Sequence, residues 1–228
     1  MNLIDAALAA GQSALSEHDA KQFLSGFGVP ICREVLVADP EAAVAEAGRI
    51  GFPVVLKACG ATLLHKTEVG GVALNLRGGQ EVREEGRRLL AIPGCDGLLV
   101  QELVRGDREL VCGLMRDAQL GPCVMFGLGG VFTETLDDAV FRVAPLTLSD
   151  ALEMAGEIRS AKILGAFRGQ PPVQLEALAR LLVTLGEIGL QHDAVQAIDV
   201  NPLKIRADGA PVAVDALISL ARTGSARR

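Results

Sequence analysis

Val54-Val55-Leu56-Lys57-Ala58-Cys59 is an apolar run with one lysine inside it, and Gly60-Ala61-Thr62-Leu63-Leu64-His65-Lys66-Thr67-Glu68-Val69-Gly70-Gly71 follows. Gly51-Phe52-Pro53 bounds the run on one side and Gly60 on the other, so it reads as a short buried strand. A lysine within such a strand needs an anionic partner, because a bare buried ammonium is costly. The plainer alternative is a strand-end lysine whose head snorkels to water. The loop that follows offers a nucleophile (His65), a second cation (Lys66) and two glycines that permit close backbone approach. Taken alone, a histidine such as His65 is more often a solvated loop residue.

Outward from this strand the chain alternates between helical and extended patterns. Residues 3–14 read as a helix, and Ser16 opens a second one with Asp19 three residues on, a capping-box variant closed by Gly26, Gly28 and Pro30. A strand over 31–37 follows, then Asp39-Pro40-Glu41 opens a helix over 40–50. Strands are expected at 72–76 and 98–104, flanking a charged amphipathic helix over 80–91. The second half opens with strands at 109–116 and 123–128, interrupted by Gly129-Gly130, then a strand at 141–144. Helices near 149–159 and 173–189, a strand over 194–205, a turn at 207–209 and a strand over 212–217 complete it. Mixed hairpins and crossovers predict an α+β (α/β) fold of two lobes, 15–104 and 105–221, preceded by an N-terminal helix within 1–14 and followed by a tail, 222–228.

Composition narrows the function. Half of the 228 residues are hydrophobic and 22% are charged, too apolar a chain for disorder. The net charge of −6 argues against nucleic acid or an anionic membrane as the main partner, though not against a nucleotide held by local donors. With no Trp and no Tyr, a base-stacking platform is not expected. No apolar run approaches the roughly 18 residues that span a bilayer, and Met1-Asn2-Leu3-Ile4-Asp5 lacks a signal peptide's basic start. The five cysteines contain no C-x-x-C pair and read as reduced thiols of a cytoplasmic protein. Walker A, G-x-G-x-x-G, H-E-x-x-H and G-x-S-x-G motifs are all absent from the sequence.

Two further groups carry chemistry. Period-two alternation puts Asp199 and Asn201 on one face of a strand. A three-residue hairpin loop at 207–209 would set Asn201 opposite Asp215, and a two-residue loop would offset them by one. Either way hard oxygen donors converge, a set suited to Mg²⁺ rather than zinc. The alternative is an Asn-Pro strand end beside an unrelated surface carboxylate. The other group is Val100-Gln101-Glu102-Leu103-Val104 with Glu109: a strand ending in acceptors that can meet a purine through its backbone, and a carboxylate for ribose hydroxyls. By itself it reads as a connector between lobes.

Together these stretches resemble one family closely, the ATP-grasp, β-type subunits of NDP-forming acyl-CoA synthetases, relatives of the succinyl-CoA synthetase β-subunit. The resemblance runs over about residues 15–220. It rests on Leu15-Ser16-Glu17, 51–57, 65–72, Gly113-Leu114-Met115-Arg116-Asp117, Gly121-Pro122, Phe126-Gly127-Leu128-Gly129-Gly130, Phe167-Arg168-Gly169 and 198–203. It implies an ATP-grasp fold of two α+β subdomains with the nucleotide between them. It also implies roles: Lys57 on nucleotide phosphate, Glu102 to Val104 on adenine, Glu109 on ribose, Asn201 and Asp215 on Mg²⁺, His65 as phosphate acceptor and Asp199 orienting its imidazole. Cys59-Gly60 and Ala197 depart from the family's usual residues. The implied reaction is acyl-CoA + ADP + Pi ⇌ acid + CoA + ATP, with ATP/ADP and Mg²⁺ as cofactors. No stretch offers a CoA site, so an α-type CoA-binding subunit is expected, as an α2β2 heterotetramer by analogy. The rival readings are an ATP-grasp carboxylate-amine ligase, which has no need of His65, and a non-catalytic nucleotide-sensing module.

Overall fold

The run Val54–Cys59 forms a strand, and alternation within it separates two faces. Val54, Leu56 and Ala58 enter a hydrophobic cluster with Ala43, Ala47, Val82, Leu89, Leu98 and Val100. Lys57 therefore points to the opposite face. A computed structural model describes residues 3–61, 63, 66, 68–130, 138–166 and 169–221. Their contacts define two units. The described parts of Met1–Leu15, Ala20–Ile31 and Arg105–Arg228 form one, and Ser16–Asp19 with Cys32–Val104 form the other.

In the second of these units, β1 (Glu34–Val37), β2 (Val54–Cys59), β3 (Val72–Leu76) and β4 (Gly97–Glu102) form an antiparallel sheet in the order β1-β4-β2-β3. Two helices supply the rest of its core. The helix Pro40–Ile50 begins at Asp39, whose carboxylate accepts from the amides of Glu41 and Ala42, and stops at Gly51. The helix Gly79–Leu90 buries Val82, Gly86 and Leu89 and turns its charges outward.

The other unit is built on a six-stranded antiparallel sheet. Its strands are β5 (Glu109–Asp117), β6 (Gly121–Leu128), β7 (Ala139–Val143), β8 (Val195–Ile205), β9 (Pro211–Ala213) and β10 (Leu217–Leu220). The order is β10-β8-β5-β6-β7, with β9 also on β8. Four helices belong here wholly or in part: α1 (Leu3–Ala9), α2 (Glu17–Gly26), α5 (Leu148–Glu157) and α6 (Leu175–Gln191), where α3 and α4 are the two of the smaller unit. Along α6, Leu178, Leu181, Leu182, Leu185 and Ile188 are buried at helical spacing. Gly189 lets the helix touch the sheet, since a Cβ there would lie 2.4 Å from Leu114 Cδ1. Arg116 fastens the end of α6 by donating to the carbonyls of Gly189 and His192 at 2.6 and 3.1 Å.

Several boundaries differ from the sequence reading. The first helix ends at Ala9 rather than 14, because Gly11 takes a positive φ of 75° and the amides of Gly11 and Gln12 turn back onto Leu8 and Ala7. The strand expected at 31–37 begins at Glu34, and Ile31 makes only a bridge to Ala213. The strand expected over 98–104 ends at Glu102, and the single strand expected at 212–217 is two, β9 and β10, with 214–216 between them. Most of α2 belongs with the six-stranded unit, whereas the sequence grouped it with 15–104.

Asp138 ties β7 to the turn after α5. Its carboxylate accepts from the amides of Arg159 and Ser160 at 2.6 and 2.9 Å, and from the Ser160 hydroxyl. Burial opposes the charge, but these hydrogen bonds outweigh it and hold the carboxyl below its ordinary range. A lowered carboxyl contributes stability above the unfolded pKa, near 4, and loses it as pH falls. Asp138→Asn is therefore expected to cost about 1–3 kcal/mol at neutral pH. In urea titrations the gap between variant and wild type should narrow as pH falls below about 5 and close as the lowered folded-state pKa is passed.

Candidate functional site

Two groups of side chains, one in each unit, carry the chemistry. In the smaller unit Lys57 lies mid-strand, paired in register with Leu99 and Val72, and is 4% exposed. It does not snorkel to water. Its Nζ donates to Glu17 Oε1 at 2.6 Å, inside the protein. The other oxygen of the same carboxylate accepts from Lys66, which is also buried. One carboxylate thus joins the lysine of β2 to a lysine of the loop beyond it. Ser16 positions Glu17 by opening α2: its hydroxyl accepts from the Asp19 amide at 3.2 Å and donates to the Asp19 carboxylate at 2.7 Å.

Sequence reasoning recognised that Lys57 needs an anion but gave Glu17 no role. The signal was present in the capped helix start, yet nothing local says which buried strand that helix start meets. His65 lies outside the described residues. The other two histidines have structural surroundings: His18 Nδ1 lies 3.0 Å from Glu34 Oε1, and His192 packs edge-on against Phe23 and Phe27. Glu102 is tied to Arg33 twice, its Oε1 accepting from the Arg33 amide at 2.8 Å and its own amide donating to the Arg33 carbonyl at 2.9 Å. Val104 lies just past the end of β4 and is buried.

In the larger unit Glu109 begins β5 and pairs across the sheet with Lys204, Nζ to Oε1 at 2.9 Å. Gly129 and Gly130 let the chain pass beside it. The Gly129 amide donates to the Glu109 carbonyl at 2.9 Å, and a Cβ at Gly130 would sit 3.0 Å from Glu109 Oε2. Lys204 is a second residue that sequence reading did not single out.

Asp199 and Asn201 are exposed and alternate with buried Ile198 and Val200, so they share a face of β8 as expected. The 207–209 loop has the three-residue form, with the Arg206 amide bonded to the Ala210 carbonyl at 2.9 Å. Leu203 pairs with Ala213 on one side and Asp199 with Leu217 on the other, in one continuous register. That register sets Asp215 opposite Asn201, inside the break between β9 and β10. Asn201-Pro202 is also a bulge. Leu110 pairs with Leu203 but Cys112 with Val200, so two residues of β8 face Val111 alone. Proline has no amide to offer a ladder, and a bulge re-aims the side chains beside it.

The electrostatics follow. The surrounding protein raises the Asp199 carboxyl above its ordinary range, and the Asp215 charge adds to the effect. Burial pushes the Cys112 thiol far up, with Asp199 contributing. A hard divalent cation fits this donor set, since it would relieve the repulsion between carboxylates that raises Asp199. Among the described residues no group of three or more His, Cys, Asp or Glu is placed to hold a metal by itself. That suits an ion completed by water and phosphate.

Two antiparallel α+β units, one presenting buried lysines and the other hard oxygens, define a class of nucleotide-using enzyme. A family model described as an ATP-grasp domain matches residues 6–220, and the chain belongs to that family. Its relatives are more particular. The beta subunit of acetate–CoA ligase [ADP-forming] I from Pyrococcus furiosus is 41% identical over 213 residues, covering 90% of this chain and 91% of that one. Acetate–CoA ligase [ADP-forming] II from Archaeoglobus fulgidus is 38% identical over 87% of this chain, which spans only 29% of that longer protein. A solved structure of the dinucleotide-forming acetyl-coenzyme A synthetase 1 of Ca. Korarchaeum cryptofilum, with coenzyme A and Mg-AMPPCP, superposes with a TM-score of 0.85. It is 42% identical, over 96% of this chain and 98% of that one, and its phosphohistidine segment points towards the nucleotide-binding site.

Proposed function

We propose that this chain is the nucleotide-handling β-type subunit of an ADP-forming acyl-CoA synthetase, and that it moves a phosphoryl group between His65 and ADP. The overall reaction is acyl-CoA + ADP + Pi ⇌ acid + CoA + ATP. In the step assigned here a phosphohistidine N–P bond breaks as the terminal oxygen of ADP bonds the phosphorus, leaving neutral imidazole and ATP. Lys57 neutralises phosphate charge, and Lys66, next to His65 in the chain, does the same at the transferring group. Main chain around Leu103 and Val104 meets adenine, because the Glu102 amide is committed to Arg33. Glu109 takes ribose hydroxyls, held by Lys204. Asn201 and Asp215 would hold Mg²⁺, which supplies charge neutralisation on the phosphates, and Asp199 orients the imidazole of His65.

The observation that carries the reading is the pair of buried lysines, Lys57 and Lys66, joined by Glu17, with Lys66 next to His65 in the chain. The acyl-CoA chemistry falls to a partner subunit, a reading supported by relatives named as beta subunits, and we take that partner to be a CoA-binding α-type chain in an α2β2 assembly by analogy with the family. Five free cysteines fit a reducing cytoplasm. No helix among the described residues is long and apolar enough to cross a membrane.

Incubation with [γ-³²P]ATP and Mg²⁺ should label the chain in an acid-labile, base-stable form. His65→Ala should remove the label, while His192→Ala keeps it. Equal labelling of His65→Ala would overturn the assignment and favour a carboxylate-amine ligase, which needs no phosphohistidine.

A further inference from the structure

Alternation along β8 would put Lys204 and Asp199 on opposite faces, because they lie an odd number of positions apart. The bulge at Asn201-Pro202 reverses this. Lys204 pairs with Glu109 and Asp199 with Gly113, and those two partners lie an even number of positions apart on β5, so all four share one face. Glu109 and Lys204 thus stand on the side of the sheet that carries Asp199. We propose that this pair selects the sugar of the nucleotide: Lys204, as positioning residue, holds one oxygen of Glu109 and leaves the other to a ribose hydroxyl, so a ribonucleotide is chosen over its deoxy analogues. This deepens the reading of Glu109 given above and rests on it.

Three features support the device. Lys204 is held at two points: its Nζ lies 2.9 Å from Glu109 Oε1 and donates to the Gly106 carbonyl at 3.4 Å. Gly106 brings that carbonyl in because it has no side chain; its φ is 156°, and a Cβ there would lie 2.5 Å from the Ile205 carbonyl oxygen. Second, Lys204 occupies Oε1 alone. Oε2 lies on the side of Gly130, where a Cβ would stand only 3.0 Å away, so glycine leaves room beside that oxygen. The side chains of Lys204 and Glu109 are 21% and 32% exposed, so a ligand can reach them. Third, a bare carboxylate beside a polyanion would repel it, and a glutamate with no partner would lose rotamer freedom on binding. The ammonium of Lys204 offsets the charge and fixes the rotamer before the nucleotide arrives.

Selection between sugars is the readout, because a merely structural lysine would not move it. Binding of ADP, 2′-deoxy-ADP and 3′-deoxy-ADP, each with Mg²⁺, is measured by calorimetry on the complete complex of this chain and its partner subunit. Wild type should bind ADP at least about tenfold more tightly than one of the two analogues, the size of a lost hydrogen bond to a charged acceptor. Lys204→Met keeps the length of the side chain and drops its charge. It should weaken ADP by about five- to tenfold and leave that analogue within about twofold, so the ratio shrinks several-fold. Thermal unfolding is followed alongside, and Lys204→Gln replaces Lys204→Met if the latter does not fold. Equal losses of ADP and analogue, which leave the ratio as in wild type, would overturn the role of Lys204. So would a wild type that binds all three nucleotides alike. Glu109→Gln separates this from the underlying reading. If Glu109→Gln abolishes the ratio while Lys204→Met keeps it, Glu109 stays on ribose and only the role of Lys204 falls. If Glu109→Gln keeps the wild-type ratio, Glu109 does not meet ribose, and the reading of the subsite fails with the proposal.

Discussion

Lys57→Ala is expected to lower ATP formation by the reconstituted complex by about 10²–10³-fold while leaving the fold in place. The reasoning starts from its partners. Removing one member of a buried ion pair is usually severe because the other charge is stranded. Here Glu17 retains Lys66, so the carboxylate keeps a cation and the destabilisation is smaller than for an isolated pair. What disappears is a preorganised positive charge in a water-excluded strand, worth most where negative charge gathers during phosphoryl transfer. Lys57→Arg should not restore activity. The position is packed between Leu99 and Val72, and a planar guanidinium is wider than an ammonium and cannot hold the same point. Steady-state ATP formation at saturating acyl-CoA and phosphate, with circular dichroism melts of the same preparations, checks both parts. Turnover within tenfold of wild type would remove Lys57 from the phosphate site.

Asp215→Ala should weaken binding of Mg·ADP at least tenfold, on the order of what loss of a metal-supporting group costs. Metal-free ADP should bind within about twofold of wild type, because Mg²⁺ reaches such a site with phosphates completing its coordination. Calorimetry with and without Mg²⁺ separates the two, and equal losses would mean a folding defect. A second readout follows from the electrostatics. The Asp215 charge helps hold the Asp199 carboxyl above its ordinary range, so its removal should let Asp199 titrate lower in ¹³C-detected NMR of the carboxyl carbons. An unchanged Asp199 titration would mean that the surrounding protein raises it without help from Asp215.

Much of the site was legible because it depends on local rules. The apolar run Val54–Cys59 formed its strand, Asp39-Pro40 opened its helix, and Ser16 with Asp19 capped theirs. Hairpin counting put Asn201 and Asp215 either opposite each other or one residue apart, and the three-residue loop chose the first, since strand pairing propagates with fixed period once a turn is set. The errors fell at element ends, where one residue decides: Gly11 stopped the first helix early, and β9 parted from β10 at 214–216. Both boundaries depend on competing hydrogen-bond partners that a pattern of apolar residues does not record.

The sequence by itself determined the mixed α and β class and the family, and it singled out the lysine that calls for an anion and the oxygen donors proposed for Mg²⁺. Each follows from spacing within a few tens of residues or from ordered motifs. Only the tertiary structure decided who meets whom at long range. Glu17 reaches Lys57 across 40 residues and Lys66 across 49, and Lys204 rather than a nearer cation pairs with Glu109. The bulge at Asn201-Pro202 appeared only when β5 supplied a single residue, Val111, against two. The physical reason is the same in each case. A charge or a backbone group inside a protein must find its partner among whatever the fold brings near, and chain distance carries no information about that choice.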